Sequence, residues 1–201
     1  TKVMVLVGPD RNPADFHAVL RDLRQRFGPE DHMWLLPFAP LDTLDFTSFK
    51  MHVGSKLVLD ASSSEILNKA EPPRNVDPKR YDARVDGWRL LDVRFLVVVV
   101  REQARDVVQN LVKAPLGVQF IVAVSPDIHL DDDENVQWGI FTWFYPARDM
   151  FFAEQTFVGA RPLYRGQIGI DATWKEGYPA PLLMDDSIIK LVDRRWSEYW
   201  K

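Results

Sequence analysis

The chain has no cysteine among its 201 residues. That excludes disulfides, thiolate metal sites and a cysteine nucleophile, and it fits a reducing compartment. It has no surplus of positive charge either: 25 Lys and Arg stand against 29 Asp and Glu, a formal charge of −4. With no basic run to follow a phosphate backbone, nucleic acid is not an expected partner. The longest purely apolar run, residues 95–100, is far below the ~20 residues needed to span a bilayer. The first residues lack the charged-then-apolar layout of a signal sequence. A soluble, cytoplasmic protein is expected. No HExxH, GxSxG or P-loop pattern occurs, which removes the commonest zinc-hydrolase, serine-hydrolase and nucleotide-binding readings. Gly159, Gly166 and Gly169 fall between expected strands. They do not sit at a strand-to-helix turn, so no phosphate cradle follows.

What is present is the composition of an ordinary globular protein, 46% hydrophobic and 27% charged, long enough for one large domain or two small ones packed intimately. Seven tryptophans and twelve phenylalanines exceed what one small core usually needs. Some are therefore candidates for a partner-facing surface.

The chain also contains a candidate internal repeat. When Val5 is set against Val122, the register holds without a gap from Val3 to Leu36, and nine of 34 pairs are identical. They are Val5/Val122, Val7/Val124, Pro9/Pro126, Asp10/Asp127, Asp15/Asp132, Val19/Val136, Phe27/Phe144, Pro29/Pro146 and Met33/Met150. The matches fall where a strand, a turn, a helix face and a second strand would need them. The correspondence resumes as Leu59-Asp60-Ala61-Ser62 against Ile170-Asp171-Ala172-Thr173, so the first copy has a longer intervening loop.

In chain order, Val3 to Val7 reads as a buried strand ended by Gly8-Pro9-Asp10. A helix follows, with Asn12 as cap, Pro13 in the first turn and Phe16, Val19, Leu20, Leu23 and Phe27 on one face. Strands are expected at 33–38 and 56–59. Residues 62–87, with SSSE, Pro72-Pro73 and RNVDPKRYDARVDG, read as a linker or surface excursion. Residues 90–100 read as a single central strand, 103–112 as a helix and 120–124 as the next strand, an order that favours a largely parallel sheet. The second copy repeats the helix, with Asp131 to Glu134 at its start, and strands at 150–153 and 167–170 separated by the loop EQTFVGARPLYRG. A last amphipathic helix, 186–200, carries Ile188, Ile189, Val192, Trp196 and Tyr199 or Trp200 on one side. It could seal an exposed sheet face, in this molecule or a neighbour.

The acidic run Asp131 to Glu134 after His129 is the most metal-like cluster. Its place at a helix start favours capping and the helix dipole instead. The four histidines share no ligand spacing. Asp10 and Asp127, each after a proline, are either paired acid–base groups or turn caps. Arg148 and Asp149 read as a local turn pair. Asp171, Thr173 and Lys175 come off a strand end, where α/β proteins often present functional groups, and correspond to Asp60, Ser62 and Ser64 in the first copy.

The pieces SPDI, DDDENVQW, YPARD and GIDATWK, following the strand DVRFLVVVVR, resemble the C-terminal domain of the UbiD-type decarboxylases. So do PLDTLDF and VGSKLVLDAS in the first copy. That family uses prenylated flavin mononucleotide to decarboxylate or carboxylate aromatic and unsaturated acids. The resemblance implies an α/β fold of largely parallel sheets flanked by helices, in two C-terminal-domain-like units: 1–72 and 89–201, joined by 73–88. In the family the flavin, its metal and the catalytic arginine and two glutamates belong to other domains, which have no counterpart here. No catalytic, cofactor-binding or metal residue is therefore expected in this chain, and prenylated FMN and a divalent metal would reside in a partner. An arginine common before YPARD is replaced here by Trp143 and Phe144. The family's C-terminal domain assembles the oligomer and closes an apolar loop over the active site. By position, residues 157–164 and 44–49 would be the similar loops. The implied partner or lid contacts are Leu44, Phe46, Phe49, Phe157, Leu163, Tyr164, Trp196 and Trp200.

The resulting expectation is an accessory, non-catalytic subunit of a UbiD-type carboxylase or decarboxylase, bound to a larger catalytic subunit or to itself. Two alternatives stay open. One is a self-contained enzyme with an acidic site between the units, built from Asp10, Asp127 or Asp171. The other is a structural homo-oligomer held by the aromatic C-terminal helix.

Overall fold

The structure is a computed structural model that describes residues 1–69, 71 and 73–200. Pro72, half of the proline pair and the expected end of the first unit, lies outside the described residues. The first sheet is built from β1 (Val3–Val7), β2 (Met33–Pro40) and β3 (Val53–Ala61) in the order β1-β3-β2, with helix α1 (Phe16–Arg26) between β1 and β2. β1 runs parallel to β3 and β2 antiparallel to it. The second sheet has five strands: β4 (Val85–Asp92), β5 (Phe95–Val100), β6 (Phe120–Val124), β7 (Met150–Val158) and β8 (Arg161–Ala172), in the order β4-β5-β6-β8-β7. Helix α2 (Ala104–Leu111) connects β5 to β6, and α3 (Asp133–Thr142) and the one-turn α4 (Pro146–Asp149) connect β6 to β7. Helix α5 (Asp186–Arg195) follows β8.

Both sheets are mixed, which corrects the expectation of largely parallel ones. β5, β6 and β8 are mutually parallel, but the edge strands β4 and β7 are antiparallel to their neighbours. The difference comes from two hairpins. The apolar run at 90–100 is not one strand: Asp92 turns the chain by accepting a hydrogen bond from the amide of Arg94, so β4 doubles back on β5. Likewise, most of the loop expected between 153 and 167 is strand, and β7 and β8 continue to a tight turn at Gly159 with φ +60°. The linker expected at 73–88 also contributes to the core: Val85 is fully buried in β4, and Asp82 accepts bonds from Arg84 and Asn110.

The register matches between the two sheets. Val5 and Met33 both pair with Leu59, as Val122 and Met150 both pair with Ile170. Asp15 accepts from the amide of Ala18 at the start of α1, and Asp132 accepts from Glu134 and Asn135 at the start of α3. The cap of α1 is thus Asp15 rather than Asn12, whose side chain instead closes a turn onto Ala14. Phe27 and Phe144 are both fully buried after their helices.

The alternation of side chains along each strand sets the layers. Val97, Val122 and Ile170 share one core with Leu57 and Leu59 of the first sheet, Leu20 and Leu23 of α1, and Val136 and Ile140 of α3. α1 and α3 therefore fill the space where the two sheets face each other. The opposite face of the second sheet, with Leu96, Val98, Ile121 and Ala123, is covered by Val107, Val108 and Leu111 of α2. The opposite face of the first sheet has no such cover among the described residues: Met4, Leu6, Trp34 and Leu36 are 38–50% exposed. Among the described residues no helix is long and apolar enough to cross a membrane.

Candidate functional site

The motifs YPARD and GIDATWK converge on one buried polar cluster. α4 is the PARD of YPARD, started by Pro146 in its first turn. It places Asp149, 3% exposed, so that Oδ2 accepts from the amide of Tyr145 at 2.7 Å. The GIDATWK segment comes off the end of β8 and brings Lys175 Nζ to 3.5 Å from Asp149 and 3.4 Å from Asp171. Nζ also donates to the carbonyls of Asp171, Thr173 and Trp143 at 2.9, 3.0 and 3.2 Å. Asp171 Oδ1 in turn accepts from the amide and hydroxyl of Thr173.

The first sheet and the loop between β2 and β3 lock into this cluster. Ala147 donates its amide to Ser55 Oγ of β3 at 3.0 Å, and Arg148 donates to the Thr47 carbonyl at 2.7 Å while its guanidinium lies over the rings of Tyr145 and Phe49. The Tyr178 hydroxyl reaches the same Thr47 carbonyl, and its ring packs on Phe46, Phe49 and Trp143. Phe49 takes φ +57°, a strained conformation for an aromatic residue, held by these ring contacts. Lys2 pairs with Asp45 at 3.5 Å.

Burial dominates the electrostatics. It raises Asp149 above the ordinary carboxylate range, with Lys175 acting in the opposite direction. It also raises the Tyr178 phenol and lowers Lys2, which Asp45 partly offsets. Chemically the cluster is a clamp. The protons of Lys175 are directed at three carbonyls, which leaves no free lone pair to act as base or nucleophile.

Of the aspartates expected to form an acidic site, Asp10 and Asp127 are exposed in their turns, and Asp171 is buried in the clamp. The cavity between the sheets, about 390 Å³, is lined by Val5, Leu20, Leu57, Phe120, Phe144 and other apolar side chains, with Gln137 as the polar exception. It offers no carboxylate for acid–base work and no cation for a flavin phosphate, so the residues present do not fit a flavin there. The acidic run is structural: Asp132 caps α3, and Asp133 is tied to His17 and Arg89, each at 2.7 Å. Among the described residues no three His, Asp or Glu side chains are grouped to hold a metal ion.

Of the expected lid or partner contacts, Leu44, Phe49, Phe157, Trp196 and Trp200 are exposed. Leu163 and Tyr164 are not free to meet a partner, because both are 8% exposed inside the hairpin, Tyr164 against Phe152. Phe46 is spent on Trp143 and Tyr178. Reading Arg148 and Asp149 as a local pair missed their true partners, Thr47 and Lys175. The one signal that could have found them is that Arg148, Asp149 and Lys175 lie in the motif segments and Thr47 directly follows PLDTLDF.

Residues 1–61 match the family model of the 3-octaprenyl-4-hydroxybenzoate carboxy-lyase C-terminal domain. The chain is 23% identical over 202 residues to a 4-hydroxybenzoate decarboxylase subunit from Chlamydia pneumoniae, covering 98% of this chain and 33% of that protein. It is 22% identical over 206 residues to an uncharacterized protein of Chlamydia caviae, covering 100% of this chain and 34% of the other. The chain thus spans about a third of the length of the curated relatives it matches. Among solved structures, the closed form of the vanillic acid decarboxylase of Sedimentibacter hydroxybenzoicus gives a TM-score of 0.46 at 16% identity, over 76% of this chain and 39% of that one. By sequence, residues 1–61 are similar to the C-terminal domain of the UbiD-type carboxy-lyases, and the whole chain is similar to a 4-hydroxybenzoate decarboxylase subunit.

Proposed function

We propose that this chain is a non-catalytic unit of a UbiD-type carboxylase or decarboxylase, built from two tandem C-terminal-domain-like units, 1–72 and 89–201, and acting in assembly and in covering a partner's active site. The observation that carries this reading is the clamp. Ala147 and Arg148 of YPARD hold the first sheet through Ser55 and Thr47, and the cavity between the sheets is apolar. Both features suit an assembly element. The similarity to a 4-hydroxybenzoate decarboxylase subunit supports a place in an assembly of that kind. Prenylated FMN and its metal would sit in its flavin-bearing part.

The matched pairing of β1, β2 and β3 with β6, β7 and β8, and the two capping aspartates, favour duplication. The exposed Leu44 and Phe49 on one loop and Phe157 at the β7–β8 tip are the side chains proposed to reach the partner.

The test is native mass spectrometry of the tagged chain drawn from its own host, with an absorbance scan for flavin. A heteromeric mass with a flavin-bearing partner is expected, and Phe157→Ser with Leu44→Ser should weaken it without unfolding the chain. A chain that emerges alone, with no large flavoprotein attached, would refute the reading.

A further inference from the structure

The three strands of the first sheet have counterparts in the second, which adds β5 and β4 beyond β6. β6 therefore lies between two strands, whereas its counterpart β1 pairs with β3 alone among the described residues. The hydrogen bonds fix which backbone groups are left over. Leu57 donates its amide to the Lys2 carbonyl as Ile168 donates to Gln119, so Lys2, Met4 and Leu6 turn their groups toward β3. Val3, Val5 and Val7 point theirs the other way. Their counterparts Phe120, Val122 and Val124 meet β5 on that side, where the Phe120 amide donates to the Arg94 carbonyl. The side chains repeat the gap. Phe95, Val97 and Val99 of β5 pack into the shared core beside Val122 and Val124, which are fully buried. Val3, Val5 and Val7 are only half-buried, and they line the apolar cavity together with Phe16 of α1 and Phe141 of α3. β1 also carries none of the charges, prolines or bulges that usually guard a free edge.

We propose that the free edge of β1 takes up an extended segment of a partner polypeptide, laid parallel to β1 as β5 lies parallel to β6. Its alternate side chains, over Val3, Val5 and Val7, enter the cavity. Strand addition of this kind draws affinity from main-chain hydrogen bonds and selectivity from the pockets that receive every second side chain. The chemistry of the occupant is set by what it covers. The inward positions are apolar and uncharged, because Gln137 is the one polar side chain of the cavity and a charge buried there has no counter-ion. The next stretch of the partner is apolar too. Where α1 has Arg24, which binds Asp92 of β4, α3 has Phe141, 42% exposed at the cavity wall. The proposal deepens the assembly role by naming a surface for it, and in that sense rests on it. Its experiment uses the purified chain and a defined peptide, so it can fail while a flavin-bearing partner still co-purifies.

The probe is a fluorescent peptide with the β5 sequence, residues 93–101, VRFLVVVVR, read by anisotropy against the purified chain. On β5 the amides of Leu96 and Val98 face β6, and those of Val97 and Val99 face away from it. A peptide N-methylated at the positions of Val97 and Val99 is blocked along its outer edge only and should bind. Its isomer, N-methylated at the positions of Leu96 and Val98, should bind at least about tenfold more weakly, because main-chain hydrogen bonds to β1 are lost. Hydrogen exchange at the Val5 and Val7 amides should slow in the first complex. Val5→Pro removes a donor from the free edge and none from the ladder with β3, so it should keep the fold by circular dichroism and abolish binding. If that variant fails to fold, the pair of isomers decides alone. Isomers that bind alike, no binding by either, binding that survives Val5→Pro in a folded chain, or a parent chain that dimerises through β1 and excludes the peptide would each overturn the proposal.

Discussion

The two sheets carry the same turn at the ends of β3 and β8, and only the second adds a lysine ion pair beside it. At the end of β3, Asp60 Oδ1 accepts from the amide and hydroxyl of Ser62 at 2.9 and 2.6 Å. At the end of β8, Asp171 does the same for Thr173 at 3.0 and 2.6 Å. In the segment before β2, His32 Nδ1 accepts from the amide of Gly28. In the corresponding segment before β7, Asp149 accepts from Tyr145. The hydrogen-bond scaffold is therefore common to both. What differs is Lys175, where the first unit has Ser64, and the carboxylate of Asp149, where it has His32. The scaffold serves local chain reversal, and the added ion pairs tie the end of β8 to α4.

The largest expected effect breaks that pair. Asp149→Ala removes the acceptor of Tyr145 and one of two counter-charges of Lys175, and should cost about 2–3 kcal/mol, since Asp171 remains. His32→Ala, at the matching position, loses a single hydrogen bond and should cost about 1 kcal/mol. Urea midpoints at neutral pH separate the two, and equal losses would show that the charge adds nothing to the scaffold. The pH dependence gives an independent reading. Burial raises Asp149 above its unfolded value of 3.8, so the unfolded chain releases its proton first. Stability contributed by this group falls as pH rises from 3.8 through the raised value. Asp149→Asn should remove that fall.

The second comparison concerns the outer faces. Gly169 lies beneath α2, where an added Cβ would come within 2.3 Å of Val108 and 2.5 Å of Val112. Its counterpart in the first sheet is Val58, on the bare face. Gly169→Val should overpack the second sheet and cost about 1–3 kcal/mol. Val58→Gly, which loses strand preference and a half-buried side chain, should cost about 1 kcal/mol. If Val58→Gly proved the more damaging at every protein concentration, something in the chain itself would already cover that face.

Which parts were legible in the sequence follows from what periodicity can carry. β1, α1, β6, α2 and α3 stood out because each buries one face or two against a core, and the capping Asp132 sits where an acidic helix start predicts it. The hairpins did not. β4 and β5 are both apolar, so their boundary is marked only by Asp92. The polar outer half of β7, residues 154–156, looks like a loop because it is exposed on both faces. The cap of α1 was displaced from Asn12 to Asp15 because both are good acceptors, and only the backbone decides between them. As for the site, YPARD and GIDATWK were visible as separate motifs. Their meeting through Asp149 and Lys175 was not, because it depends on where two strand ends lie in space.

The smallest effect tests whether the shared turn is equally dispensable in both units. Ser62 holds Asp60 below its ordinary range through its hydroxyl and its amide. A lowered carboxylate contributes stability above 3.8 that is lost as the pH falls through its folded value. Ser62→Ala removes the hydroxyl and leaves the amide. At neutral pH it should therefore change the urea midpoint by no more than a few tenths of a kcal/mol, about the size of other exposed substitutions. The acid limb of the stability curve should become shallower by a similar amount. Thr173→Val makes the same deletion where the turn is buried under the clamp, and there Asp171 loses a partner it cannot replace with water. A loss of about 1 kcal/mol for Thr173→Val beside none for Ser62→Ala would show that burial, rather than the turn itself, gives the second unit's motif its weight. Equal small losses would leave Lys175 as the sole difference between the two ends.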